Sequence, residues 1–121
     1  MSGVYLHLLF ALGGGLGAVL RHWTARRITH DLPLATLAVN VAGTLLLGLW
    51  LGHLEATGTG ISEDARRLVL GFCGGLTTFS SFAYQTLDLH RSRTILIAAG
   101  NILISVVLCA LAYQLGQTVT G

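Results

Sequence analysis

Charge is what this sequence has least of. Of its 121 residues 10% are charged: seven arginines and five acids, with no lysine. Soluble domains put charge on roughly 25–35% of their surface positions. The shortage excludes a soluble enzyme, a nucleic-acid binder and a disordered chain. A formal net charge of +2 also lacks the basic face that nucleic acid requires. Cysteine occurs only at Cys73 and Cys109, with no CxxC or Cys/His spacing. Neither a disulfide framework nor a zinc site is expected, and both cysteines read as small packing residues. No basic residue precedes Arg21, so a cleaved leader is not expected. The one proline, Pro33, stands at the start of an apolar run, where a missing N–H costs a helix little.

What is present is apolar: 53% of the residues are hydrophobic. The charges fall in three islands, 21–31, 55–67 and 88–93. The uncharged stretches are 1–20, 32–54, 68–87 and 94–121, each long enough for the roughly 20 residues that a membrane helix needs. The pattern predicts an all-α integral membrane protein. It is one four-helix transmembrane domain over 1–121, with spans at about 4–20, 32–54, 65–87 and 94–115. Continuous apolar runs do not fit a β-barrel, whose strands alternate. The helical pattern of span one extends past Arg21. Residues 55–64 read as a loop, with Ser62 as a helix N-cap. Asp88–Arg93 reads as a turn, and the polar tail after Leu115 as a fraying end. His7, His22, His30, His53 and His90 lie near span ends and read as interfacial.

Short connections make successive helices antiparallel. Arg21, Arg26, Arg27, Arg91 and Arg93 lie on the side of loops one and three, Arg66 and Arg67 on the other. This bias weakly favours the first side as cytoplasmic. Sixteen glycines give small-xxx-small pairs at Gly13/Gly17, Gly48/Gly52 and Gly71/Gly75, beside Ala38/Ala42. Such pairs let membrane helices approach closely. Gly13–Gly17 is not a dinucleotide loop, since no strand precedes it and Ala18 takes the last glycine position.

No span contains an acid, which argues against proton coupling. The embedded polar groups are Asn40, Asn101, Ser105 and a cluster in span three. There Gly71, Gly74 and Gly75 weaken the helix just before its midpoint. Thr77, Thr78, Ser80, Ser81 and Gln85 follow, with Thr78, Ser81 and Gln85 on one face and Phe79 and Phe82 on a neighbouring one. A helix breaks in a bilayer only where its released carbonyls find partners. A desolvated cation would satisfy them. Hydroxyls and the positive edges of aromatic rings suit an anion. Hydroxyls bonded to their own helix, and packed phenylalanines, explain the same residues without any ion.

At these residues the chain resembles the CrcB/Fluc family of fluoride channels. Gly13-Gly14-x-x-Gly17-Ala18-x-x-Arg21 matches the first-helix motif. Thr36-Leu37-x-Val39-Asn40-x-x-Gly43 matches the second. Gly71 to Phe82, reading GFCGGLTTFSSF, matches the third-helix signature. The resemblance implies a dual-topology homodimer of two antiparallel subunits, to which a weak arginine bias is compatible. It implies a structural, untransported sodium ion (Na+) on the backbone carbonyls of Gly74 and Thr77 from each copy. It implies an anion path at Phe79, Phe82 and Asn40, into whose hydroxyl track Thr78 and Ser81 fit. Arg21 matches the family's first-helix arginine, read as architectural. Gln85 stands where several relatives carry a glutamate and reads as a possible vestibule residue. Ala35 replaces a common glycine, a change expected to affect packing.

The implied function is a fluoride-selective passive anion channel, not an enzyme, in the cell (inner or plasma) membrane. Its partners are fluoride, the lipid bilayer and a second copy. It lowers cytoplasmic fluoride and so relieves its toxicity. Two alternatives stand beside it. A small multidrug-resistance-type exporter would carry an embedded glutamate in span one. A non-transporting membrane assembly subunit would use the glycines but not the mid-span polar cluster.

Overall fold

A computed structural model describes residues 3–29, 31–57 and 62–120, all helices and short links. His30 and part of the second loop lie outside the described residues. The helices are α1 (Gly3–Arg27), α2 (Leu34–Thr57), α3 (Glu63–Leu76), α4 (Phe79–Ser92) and α5 (Ile95–Thr120). Three of them, α1, α2 and α5, are each long and apolar enough to cross a membrane. The third expected span is two helices of 14 residues each. Each half is about 21 Å long, too short to cross alone.

Packing does not follow chain order. α1 lies chiefly on α3, and α2 on α5. The glycines explain the pairing. A Cβ on Gly13 or Gly17 would overlap the backbone of Leu68, Phe72 or Leu76 on α3; one on Gly71 or Gly75 would overlap Phe10 or Gly14 on α1. Gly48 and Gly52 meet Tyr113 and Gln117 on α5 in the same way, and Gly116 meets Leu45, Gly48 and Leu49 on α2. Three of the four expected small-residue pairs therefore form seams of backbone on backbone. Ala38 and Ala42 do not: both are exposed.

Within each pair the two helices run parallel. Tyr5, near the start of α1, donates to Asp64, near the start of α3, at 3.0 Å. Asp31, just before α2, pairs with Arg93, just before α5, at 3.4 Å. The first and third loops therefore lie at one end of the bundle.

Several expected boundaries move. The turn at Asp88–Arg93 is helix as far as Ser92. The Ser92 hydroxyl bonds the Asp88 carbonyl at 2.8 Å, and the Arg93 N–H bonds Leu89 at 2.9 Å. His90 and Arg91 in that last turn suit the negative helix end. Thr94 then accepts from the Ile97 N–H at 3.2 Å and starts α5. The expected fraying after Leu115 does not occur, because Gly116 is packed and Thr118 and Thr120 bond back to Leu115 and Gly116. α2 reaches Thr57, inside the expected loop, while Ser62 caps α3 as expected by accepting from the Ala65 N–H at 3.2 Å.

Candidate ion pathway at the broken helix

Two consecutive extended residues make the break. Thr77 has φ −85° and ψ 157°, and Thr78 has φ −148° and ψ 121°. Both are β-branched and tolerate extended backbone, and the glycines before them resist it little. Thr78 then caps α4, its Oγ1 accepting from the Ser81 N–H at 3.1 Å.

The hydrogen bonds around the break can be traced one by one. In an unbroken helix the Thr78 N–H would donate to the Gly74 carbonyl. Here it donates to Asn40 Oδ1 at 2.8 Å, while Asn40 Nδ2 donates to the Thr78 carbonyl at 3.1 Å. One amide on α2 thus holds both backbone groups of Thr78. Gly43, one turn further along α2, leaves room for the Thr77 methyl, which a Cβ there would overlap. The Gly75 carbonyl accepts from Arg21 Nε at 3.0 Å. The Gly74 and Thr77 carbonyls take no backbone hydrogen bond among the described residues. Arg21 thus contacts the carbonyl end of α3, where a cation is favoured.

Two cavities flank the break, and Thr78 borders both. The larger, of about 310 Å³, takes Asn40 and Thr44 from α2, Thr77 and Thr78 from the break, Phe79 and Phe82 from α4, and Ser105, Val106 and Cys109 from α5. The smaller, of about 150 Å³, takes Arg21, His22 and Ala25 from α1, Ala35, Thr36 and Val39 from α2, and Thr78, Ser81 and Gln85. Phe79 is 79% exposed, and its ring stands 5.9 Å from that of Phe82 at a tilt of 52°. Gln85 has its side-chain oxygen buried without a partner.

Hydroxyls separate into two groups. Those of Thr24, Thr44, Thr77, Thr86, Ser92 and Thr120 bond a carbonyl one turn back on their own helix. Those of Thr36, Ser81 and Ser105 have no hydrogen-bond partner among the described residues, and all three border a cavity. These three have a proton to offer to whatever enters. Thr78 Oγ1 accepts its cap bond and lies 3.3 Å from Ser80 Oγ.

Sequence reasoning placed Gly74, Thr77, Phe79, Phe82, Asn40, Thr78, Ser81, Gln85 and Arg21 around one site, and the fold gathers them around the break. It did not place Thr36, Thr44 or Cys109 there, and it left Ser105 without a role. Spacing held the signal. Thr36, Asn40 and Thr44 recur every fourth residue on α2, and Asn101, Ser105 and Cys109 do the same on α5. Asn101 departs from the cavity and donates to Thr86 Oγ1 at 2.9 Å.

Residues 8–117 match the family described as CrcB-like protein, Camphor Resistance (CrcB). A protein of Methylobacterium radiotolerans named fluoride-specific ion channel FluC is 43% identical over 119 residues, covering 94% of this chain and 83% of the relative. The chain belongs to the CrcB family. A Thermus thermophilus relative of the same name is 38% identical, with 98% of this chain and 99% of the relative covered. One from Methylocella silvestris, also so named, is 38% identical over 93% of this chain and 91% of its own length. These CrcB relatives are named as ion channels, which are not enzymes. With its apolar helices, the chain is a multi-pass membrane protein of that family.

Proposed function

We propose that the protein is a fluoride-selective passive channel of a cell membrane that lowers cytoplasmic fluoride and so relieves its toxicity. The observation that carries this reading is the pair of cavities sharing Thr78: the larger holds the free Ser105 hydroxyl with Phe79 and Phe82, and the smaller holds those of Thr36 and Ser81. The relatives' name supplies the anion. Fluoride is small and strongly hydrated, so a path for it must offer donors in place of water. Ser81, Thr36 and Ser105 offer hydroxyls, Asn40 a remaining amide N–H, and the rings their positive edges. Hydrogen fluoride enters cells as a neutral acid and ionises. An inside-negative potential then drives the anion out by about 2.3 kcal/mol per charge per 100 mV. An acid-based proton coupling has no carboxylate to use within the apolar stretches. The same absence from α1 sets aside the multidrug-type exporter.

The working unit in this reading is an antiparallel, dual-topology homodimer with sodium at its centre. The Gly74 and Thr77 carbonyls fit that ion, being hard oxygen donors left without backbone partners. Bound there, sodium supplies a fixed positive charge that favours nearby anions. Gly75 is not available for the role, since its carbonyl is held by Arg21. The high exposure of Phe79 in the single chain supports a second copy completing the path.

The test is fluoride efflux from liposomes carrying the purified protein, driven by a potassium gradient with ionophore. Efflux that chloride does not match is expected. No efflux from folded protein, beside a working positive control, overturns the channel. Exhaustive sodium removal is expected to weaken the dimer and the flux; if both persist, sodium does not belong at Gly74 and Thr77.

A further inference from the structure

The larger cavity holds a thiol that the channel reading does not use. Cys109 is a free, half-buried cysteine on its α5 wall. Cys73, also free, is buried in α3 and borders neither cavity. One turn before Cys109 on the same face stands Ser105, which is only 7% exposed and has no hydrogen-bond partner among the described residues. The residue is packed but its oxygen is not sealed off, so the unpaired hydroxyl opens onto the cavity and is free to bond something polar that enters it. Cys109 lines the space that such a guest would occupy.

We infer that Cys109 is a modification site on the wall of the ion path, open to small thiol-directed electrophiles, and that its modification closes the path. This rests on the channel reading for its effect on flux, but not for its chemistry. The reacting species is the thiolate, formed when the thiol gives its proton to water. With methyl methanethiosulfonate the Cys109 sulfur attacks the methylthio sulfur. A sulfur–sulfur bond forms, the bond to the sulfonyl sulfur breaks, and methanesulfinate leaves with the electron pair. The thiol is oxidised to a mixed disulfide, and the thiosulfonate is reduced to sulfinate. Ser105, on the same cavity wall, has a proton to offer an entering sulfonyl oxygen. The product adds a methylthio group to the cavity that Ser105, Phe79 and Phe82 also line, and removes the thiol hydrogen. A cavity of about 310 Å³ admits the reagent once but then has less room and one fewer donor.

The full-length protein in liposomes is treated with methyl methanethiosulfonate, mapped by peptide mass spectrometry and assayed for fluoride efflux. Cys109 is expected to gain one methylthio group well before Cys73, with loss of most of the efflux. Dithiothreitol should restore it. Cys109→Ser, read as a fraction of its own untreated rate, should keep its flux under the reagent. Labelling of Cys109 no faster than Cys73 overturns the inference, as does complete labelling that leaves flux unchanged. Should untreated protein not conduct at all, the channel reading fails, while preferential labelling of Cys109 still supports the accessible site.

Discussion

The two halves of the broken helix are held in opposite ways. Upstream, α3 lies on α1 through Gly13, Gly17, Gly71 and Gly75, backbone against backbone with no side chain between. Downstream, α4 begins at Phe79, with its ring largely exposed, and is fixed through polar atoms: Asn40 on Thr78 and the Thr78 cap on Ser81. A backbone seam has one geometry and tolerates no added atom. A start made of side-chain hydrogen bonds leaves groups uncovered. The rigid half fixes where the released carbonyls stand, and the open half carries the rings and hydroxyls that suit an anion. Arg21 joins the two by bonding Gly75 at the end of the rigid half while lining the smaller cavity.

The harshest way to break this contrast is a single methyl in the seam. Gly17→Ala places a Cβ against the Phe72 carbonyl and the Leu76 nitrogen. Overpacking costs about 1–3 kcal/mol where side chains can shift, and here the obstacle is backbone. We expect loss of most folded protein. Gly15→Ala, two residues away, meets nothing within 4 Å and should gain about 0.5–1 kcal/mol from a stiffer helix. Thermal unfolding in detergent compares them. Equal melting temperatures would mean that α1 and α3 are not held by this seam.

On the open half the expected loss is of transport and not of fold. Phe79→Ile and Phe82→Ile keep apolar bulk but remove the ring edges. Each should cut fluoride efflux severely while the protein elutes and melts as before. Unchanged flux in either variant would take that ring out of the path. A lowered melting temperature would instead make the ring part of the packing.

Much of this contrast was legible in the chain. The seam could be read from small-xxx-small spacing, because close approach requires a missing side chain and glycine announces it. The break could be read from Gly74-Gly75 followed by Thr77-Thr78. What could not be read is which hydroxyls turn back on their own helix. Thr44 and Ser105 look alike in sequence, yet Thr44 bonds the Asn40 and Val41 carbonyls and Ser105 bonds none. That choice depends on the neighbouring helix. The tail after Leu115 misled for a similar reason: its polar residues look frayed, but Gly116 is packed on α2.

Asn40 sharpens the comparison because it serves the break and the cavity together. Asn40→Ala leaves the Thr78 N–H and carbonyl without their partners, at a cost of about 1–3 kcal/mol for a buried unpaired group. Flux should fall with stability. Thr44→Val, one turn along α2, removes a hydroxyl that bonds only its own helix and should cost about 1 kcal/mol or less. If the two variants melt alike, the amide is not what fixes the start of α4.

The smallest effect belongs to the far end of the rigid half. Arg67 Nε donates to Glu63 Oε2 at 2.8 Å, and Arg66 stands 3.4 Å from the other oxygen. The Arg67 hydrogen bond is the main cause that holds the Glu63 carboxyl below its ordinary range. A carboxylate so lowered stabilises the folded chain above its ordinary pKa, and the contribution disappears as pH falls through the lowered value. The pair is exposed and screened, so its worth is small. We expect a slight drop in melting temperature on acidification below the usual carboxylate range, weakened by high salt and missing in Glu63→Gln. The break itself, from Gly71 to Phe82, contains no Asp, Glu or His. If Glu63→Gln keeps the full acid-dependent drop, the loss arises at another of the five carboxylates and the α3 start has no part in it.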